Sequence, residues 1–402
     1  MTKKVSGGIC APQGFVAAGV KAGIKKSGKE DVAIIYSEVP AAAAAMFTTN
    51  AMAAAPVVVS RNAVENGSIR AVVVNSGCAN ASTGEQGLTD AKAMVQTTAS
   101  ALGIDKEEVM VASTGIIGVN LPMEKVNAGI KKAVAELSKD GYAKAMQAIM
   151  TTDTFSKECA YEFELEGVTT RIAGIAKGAG MIHPNMATML CFITTDAKIS
   201  PTVLKAALAE AVNLSFHMIT VDGDTSTNDM ISVLANGQAG NKIVESVSSA
   251  GYSQFVAALK EVCIYLAKQV VQDGEGATKF LEITVNGAVN FADAKTAAMA
   301  VAKSPLVKTA FFGQDPNWGR ILCAVGYSGA KVDQEKTSLD IGGITIVSSG
   351  VGVSPDAHAL QTVMAERNIK VKIDLGQGQA EATVWTCDFS YEYVKINADY
   401  ST

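Results

Sequence analysis

The 402-residue chain is 48% hydrophobic and 18% charged, ample for a sizeable core and, by length, for two or three domain-sized units. A net charge of −5, with no basic run longer than two residues, gives nucleic acid no electrostatic footprint. Seven scattered cysteines, odd in number and without a CxxC pair, argue against a disulfide framework or a zinc site and for a reducing compartment. His183, His217 and His358 show no metal-ligand spacing, so no metal or cofactor is expected. The N-terminus lacks the apolar core of a signal peptide, and the alanine-rich stretch 40–60, broken by Thr48, Thr49 and Asn50, is a poor membrane span. These features lead to the expectation of a soluble, cytoplasmic protein.

Residues 7–60 read as strands with small-residue turns: 32–36 and 57–60 are β-rich, and the alanines of 41–45 pack without demanding volume. The segment RAVVVN (70–75) is a strand running into Ser76-Gly77-Cys78-Ala79-Asn80-Ala81, which is either a simple turn or a loop presenting amides at a site. A helix follows over 89–102, with Thr98 interrupting its apolar spacing, then a short strand, 109–112, ending in Ser113-Thr114-Gly115. Pro122 opens a helix over 122–139, as a favoured first-turn residue. Between a helix over 142–149 and a strand over 161–165 lies MTTDT (150–154), three threonines around Asp153. A strand over 171–176 then feeds Lys177. The pattern of strand, polar loop and helix repeats, and each loop can face a common cleft.

The stretch KGAGMIHPNMATMLCFITTD (177–196) organises the rest. Gly178, Gly180 and Pro184 resist regular structure, whereas 188–195 is an apolar, β-branched run that reads as a buried strand. Thr188 stands at the junction. If the bond between Ala187 and Thr188 is strained, the Thr188 hydroxyl can attack the preceding carbonyl. Hydrolysis of the resulting ester leaves Thr188 as a new chain start carrying both a nucleophile and its own α-amino base.

Beyond it the sequence predicts a helix over 201–216, a hydroxyl- and carboxylate-rich loop (VDGDTSTND, 221–229) near the site, a strand over 231–234 and a helix over 253–270. That loop lacks the sixth-position Gly and the closing Glu of an EF-hand. Glu275 lies between Gly274 and Gly276, where a ligand can come close. The last third alternates a helix over 292–303, a loop over 312–320 with Arg320 paired to Asp315, and strands near 338–340, 344–348, 371–373 and 381–386. The chain closes on an alternating strand and a polar end.

KGAGMIHPNMATML resembles the signature of the ornithine acetyltransferases (glutamate N-acetyltransferases) of arginine biosynthesis. NSG-ANA, STG-IG, MTTDT, VDGDTSTND, DGEG and QDPNWGR fall in that family's order along essentially the whole chain. The family usually has Asn where this chain has Cys78, so no role is carried to that position. The resemblance implies an α/β fold: an αββα-like sandwich of mixed sheets flanked by helices, of the self-cleaving N-terminal-nucleophile, DmpA-like type. It implies a cut between Ala187 and Thr188 that leaves chains 1–187 and 188–402, and a smaller C-terminal domain from about 285. Two of each chain are expected to assemble as a heterotetramer.

It further implies a ping-pong transfer of acetyl from N-acetylornithine to glutamate through Thr188, with Thr114 and Gly115 as the oxyanion hole. Substrate anchors carry over onto Thr151 or Thr152, Lys177, Thr188, Glu275, Asn397 and Thr402. Lys177 suits a substrate α-carboxylate and Glu275 the distal ammonium of ornithine. Some family members also accept acetyl-CoA, and the sequence leaves open whether this one does. Two other readings stand beside this one. A self-cleaving aminopeptidase of the same architecture would pass the acyl group to water, and a small-ligand binding protein would keep its chain whole.

Overall fold

The computed structural model describes residues 2–183 and 189–399. Its first part comprises β1 (Lys3–Lys4), β2 (Phe15–Val20), β3 (Val32–Phe47), α1 (Ala55–Val64), β4 (Ser68–Cys78), α2 (Gly84–Leu102), β5 (Val109–Ile116), α3 (Met123–Ala135), α4 (Tyr142–Ile149), β6 (Lys157–Leu165) and β7 (Val168–Lys177). After the glycine loop come β8 (Leu190–Thr195), α5 (Pro201–Asn213), β9 (Met230–Ala235) and α6 (Ala250–Gln272). The strands form one sheet in the order β1-β6-β7-β8-β9-β3-β4-β5, with β2 added on β3.

The long strand β3 turns this sheet into a sandwich. Its first part pairs with β2 and β4 and its second with β9, with a register break between Tyr36 and Ala41. Pro40 sits in the break, where a residue without an N–H does least harm to the ladder. Side-chain alternation then assigns the faces. Ile35, Val72 and Val74 share an inner core with Ile175, Leu190 and Phe192 of the other half, which α4 enters through Met146 and Ile149. Ile34, Ala71 and Val73 point outward onto Met94 and Val95 of α2 and Ile130 of α3. Cys191 and Ile193 point outward on the other side, onto Leu204 and Leu208 of α5 and Leu259 and Val262 of α6. The layers are helix, strand, strand, helix, the α/β sandwich expected.

A second sheet follows α6, from β10 (Phe280–Ala288), α7 (Phe291–Lys303), α8 (Pro305–Phe312), α9 (Trp318–Gly326), β11 (Ser338–Ile341), β12 (Ile344–Ser348), β13 (Val351–Gly352), α10 (Ala357–Ala365), β14 (Asn368–Asp374) and β15 (Ala380–Cys387), with α11 (Tyr391–Asp399) last. The strand order is β13-β12-β11-β14-β10-β15, with β10 and β14 parallel. Leu281 and Val384 of this sheet share one core with Leu266 and Val270 of α6, and Ile219 bridges to Trp385. Among the described residues no helix is long and apolar enough to cross a membrane.

Several expectations need correction. The β-branched run at 57–60 is helical, within α1, where Pro56 takes a first-turn position and Val57 and Ser60 face the interior. The closing segment is helix α11 and not an alternating strand; residues 400–402 lie outside the described part. The 312–320 loop is shorter than expected, because Asn317 accepts from the Arg320 N–H and caps α9 from Trp318. The Arg320 guanidinium donates to the Leu306 carbonyl (2.8 Å), while Asp315 accepts from Asn317 (3.0 Å), so the pair expected between Arg320 and Asp315 is not made. Among the described residues the strand from Thr188 begins at Leu190, and the position of Thr188 itself lies outside them.

Candidate active site

One cavity of about 240 Å³ opens where the strand-end loops converge. It is lined by Thr114 and Gly115 from the end of β5, Thr151 and Thr152 after α4, Lys177 at the end of β7, Glu275 after α6 and Asn397 on α11. These seven residues, more than 280 positions apart at the extremes, are those the sequence singles out as candidate site groups, and here they share one space. Ala187, Thr188 and Thr402 lie outside the described residues.

Parallel pairing of β4 with β5 sets Ser76 beside Thr114 and Gly77 beside Gly115. Gly115 has φ +129, and a Cβ there would come within 2.4 Å of the Gly77 carbonyl carbon, so this close approach of two loops requires glycine. Thr114 is 3% exposed, and its Oγ1 accepts from the Lys177 ammonium at 3.4 Å. That contact occupies a lone pair of the hydroxyl and leaves its O–H free to donate into the cavity. Behind it, Asn228 donates to the carbonyls of Ala79 (2.6 Å) and Ser113 (2.9 Å) and so ties the β4 and β5 loops to the 221–229 loop.

Lys177 is 2% exposed. Burial pulls its ammonium below the ordinary lysine range, and Asp153 restores part of that loss. Asp153 accepts from the Gly178 N–H (2.7 Å), the Thr151 N–H (2.9 Å) and Lys157 (2.6 Å), and Lys157 also meets Asp273 (2.5 Å). Burial pushes the Asp153 carboxyl up, but Lys177 and Lys157 outweigh it and hold it down at about 2. Asp153 therefore remains ionised and fixes both the threonine turn and the residue after Lys177.

Glu275 is half-buried opposite. Its N–H donates to the Ala179 carbonyl (2.9 Å), and its Oε2 accepts from the Asn397 amide (2.9 Å), which also donates to the Tyr393 carbonyl (3.0 Å). Asp222 and Asp224 add two more carboxylates to the same wall, with Ser226, Thr227 and Tyr393. The cavity thus has one cationic end, at Lys177, and one anionic end. That polarity fits a molecule with a carboxylate at one end and an ammonium at the other.

Asp222, Asp224, Asn228 and Tyr393 are site residues that the reading of the sequence did not single out. The loop carrying the first three stands out in the sequence for its density of hydroxyls and carboxylates, but nothing local marks which of them faces inward. Tyr393 was hidden by the expectation of a strand where α11 forms.

The ArgJ family model matches residues 16–402. The arginine biosynthesis bifunctional protein ArgJ of Symbiobacterium thermophilum is 54% identical over 400 residues, covering 99% of each chain. Its namesake in Geobacter sulfurreducens is 52% identical over 391 residues, 97% of this chain and 99% of that one. A crystal structure of arginine biosynthesis bifunctional protein argJ from Bacillus halodurans matches with a TM-score of 0.51 at 42% identity, over 52% of this chain and 98% of that chain. This chain belongs to the ArgJ family and, as a member of it, is an acyltransferase of arginine biosynthesis.

Proposed function

We propose that the chain cuts itself between Ala187 and Thr188 and then moves an acetyl group from N2-acetyl-L-ornithine to L-glutamate through an ester on Thr188. The observation that carries this reading is the single cavity that gathers Thr114, Gly115, Lys177, Glu275 and Asn397 beside Gly180 and Met181, at the start of the run leading to Thr188.

In the first step the Thr188 hydroxyl attacks the Ala187 carbonyl, and the Thr114 hydroxyl with the Gly115 N–H receives the oxyanion. The peptide C–N bond breaks, and water hydrolyses the ester that remains. The freed α-amine titrates near 8 in an unperturbed chain, so an appreciable share is neutral at working pH and serves as base. In the transfer, Thr188 attacks the acetyl carbonyl, the α-nitrogen of ornithine leaves with a proton, and the amine of glutamate then attacks the acetyl ester. Lys177 faces the α-carboxylate and Glu275 the distal ammonium. Acetyl-CoA is a second donor in this proposal, two copies of each chain assemble, and the enzyme works in the cytoplasm.

The size of the solved relative supports the cut: nearly all of that chain is matched, yet it spans about half of this one, and residues 188–402 are 215 of the 402. Intact mass and N-terminal sequencing test it, with fragments of 187 and 215 residues and a new N-terminal threonine expected. A fully active enzyme with an uncut chain overturns the reading. An acetyl-transfer assay with glutamate present separates transfer from hydrolysis, since free acetate as the main product would mark an amidohydrolase.

A further inference from the structure

The 221–229 loop does more than line the cavity: it holds both flanks of the segment that carries the proposed cut. On the upstream flank, the Asp222 carboxylate accepts from the N–H groups of Met181 (2.6 Å) and Ile182 (2.8 Å), and the Ile182 carbonyl accepts from the Val221 N–H (2.8 Å) and the Thr220 hydroxyl (3.1 Å). On the downstream flank, Asp229 Oδ1 accepts from the Met189 N–H (2.9 Å), and the Met189 carbonyl accepts from the Met230 N–H (3.1 Å).

Both aspartates are placed at a cost. Met181 has φ +59, a left-handed conformation that a side-chain-bearing residue adopts only when its surroundings impose it. The turn this creates aims two successive N–H groups at one carboxylate, which is the geometry of an anion nest. Asp229 is fully buried, and its Oδ2 has no hydrogen-bond partner among the described residues. Among the described residues this buried carboxyl sets one oxygen on a single amide and the other on none, a cost that points to a role beyond stability.

We infer that Asp222 and Asp229 are positioning residues, a two-point clamp by which one loop fixes the ends of the 183–188 segment for cleavage between Ala187 and Thr188; this rests on the self-cleavage proposed above. Asp222 holds the end that becomes the C-terminal flank of the first chain, and Asp229 holds Met189, which follows the nucleophile. A hydroxyl attacks its own preceding carbonyl only when the backbone around it is held near the attack geometry, and free ends would lose that.

The two aspartates call for different substitutions. Asp222 uses both oxygens as acceptors, so Asp222→Asn forfeits one side. Asp229 uses only Oδ1, so Asp229→Asn keeps the contact to Met189 and Asp229→Ala removes it. The test is a time course of cutting of freshly made full-length chain, read by intact mass, with thermal melting of each variant. Expected are losses of roughly tenfold or more in cutting rate for Asp222→Asn and Asp229→Ala, and a rate within about threefold of wild type for Asp229→Asn. In material that has finished cutting, Asp229→Ala lowers kcat and leaves KM for N-acetylornithine unchanged, because Met189 is not in the cavity wall.

Cutting at the wild-type rate in Asp222→Asn and Asp229→Ala overturns the clamp, as does equal loss in the Asn and Ala variants at 229. If Asp229→Ala does not fold, the comparison of the two Asn variants decides, since equal rates for them sink the proposal. A wild-type chain that never cuts would instead refute the self-cleavage itself, a result separable from every variant outcome.

Discussion

Gly180 and Glu275 occupy one another's space: a Cβ built on residue 180 would lie 2.4 Å from Glu275 Oε2 and 2.5 Å from its carboxyl carbon. The carboxylate is held there by Asn397 and by its own backbone contact to Ala179, so the glycine is what lets it reach the cavity wall. Gly180→Ala should therefore push Glu275 aside at a cost of about 1–3 kcal/mol. KM for N-acetylornithine is expected to rise roughly tenfold while the fold is retained. Steady-state kinetics checks this, and an unchanged KM would separate Glu275 from substrate binding.

Removing the charge of Glu275 while keeping its shape asks a sharper question. Glu275→Gln retains an acceptor for Asn397 but loses the attraction for a distal ammonium, which ornithine has and glutamate lacks. N-acetylornithine carries the same distal ammonium, since only its α-amine is acetylated, so its binding should weaken together with that of ornithine, by roughly tenfold or more for a charged hydrogen bond. Glutamate should be affected less. Equal losses for ornithine and glutamate in calorimetric titrations would argue against this role.

Thr114 offers the clearest link between geometry and rate. With Lys177 donating to its oxygen, the hydroxyl has its proton to give, and one such donor to an oxyanion is worth about 3–4 kcal/mol. Thr114→Ala is expected to slow both self-cleavage and acetyl transfer by roughly two to three decades, whereas Thr114→Ser should keep most of both. Unchanged rates in Thr114→Ala would take this residue out of the reaction.

Local pattern accounts for what could be read before the fold was known. The helix over 142–149 and the strands leading to Thr114 and Lys177 are legible because hydrophobic period and glycine-rich loops are short-range signals, though β5 runs on to Ile116, past the expected end at 112. The run at 57–60 misled because three valines favour a strand in isolation, whereas Pro56 and the packing of α1 on β5 select a helix. The aspartates of the 221–229 loop are visible as a cluster, but their direction depends on amides 41 and 40 residues upstream. Lys157 and Asp273 are 116 positions apart, and no spacing in the chain announces that they meet.

That last pair belongs to a buried cluster whose removal should be felt in stability and in its pH dependence. Asp153 and Lys157 are fully buried at their side chains, and Asp273 is 1% exposed. Breaking such a cluster by removing one charge typically costs about 3–5 kcal/mol, because the partner is left uncompensated. Asp153→Asn should therefore lower the melting temperature at neutral pH. Its carboxyl sits at about 2 in the fold, against about 3.9 in an unfolded chain. A depressed carboxyl contributes stability that is fully present above about pH 4 and is lost as the pH falls through about 2. The gap between wild type and Asp153→Asn should accordingly be constant from pH 5 to 7, where the carboxyl is ionised in both the folded and the unfolded chain, and should narrow as both are taken toward pH 2. Melting curves at stepped pH measure it. A gap that stays the same down to pH 2 would mean that Asp153 acts by its shape and hydrogen bonds alone, and not by its charge.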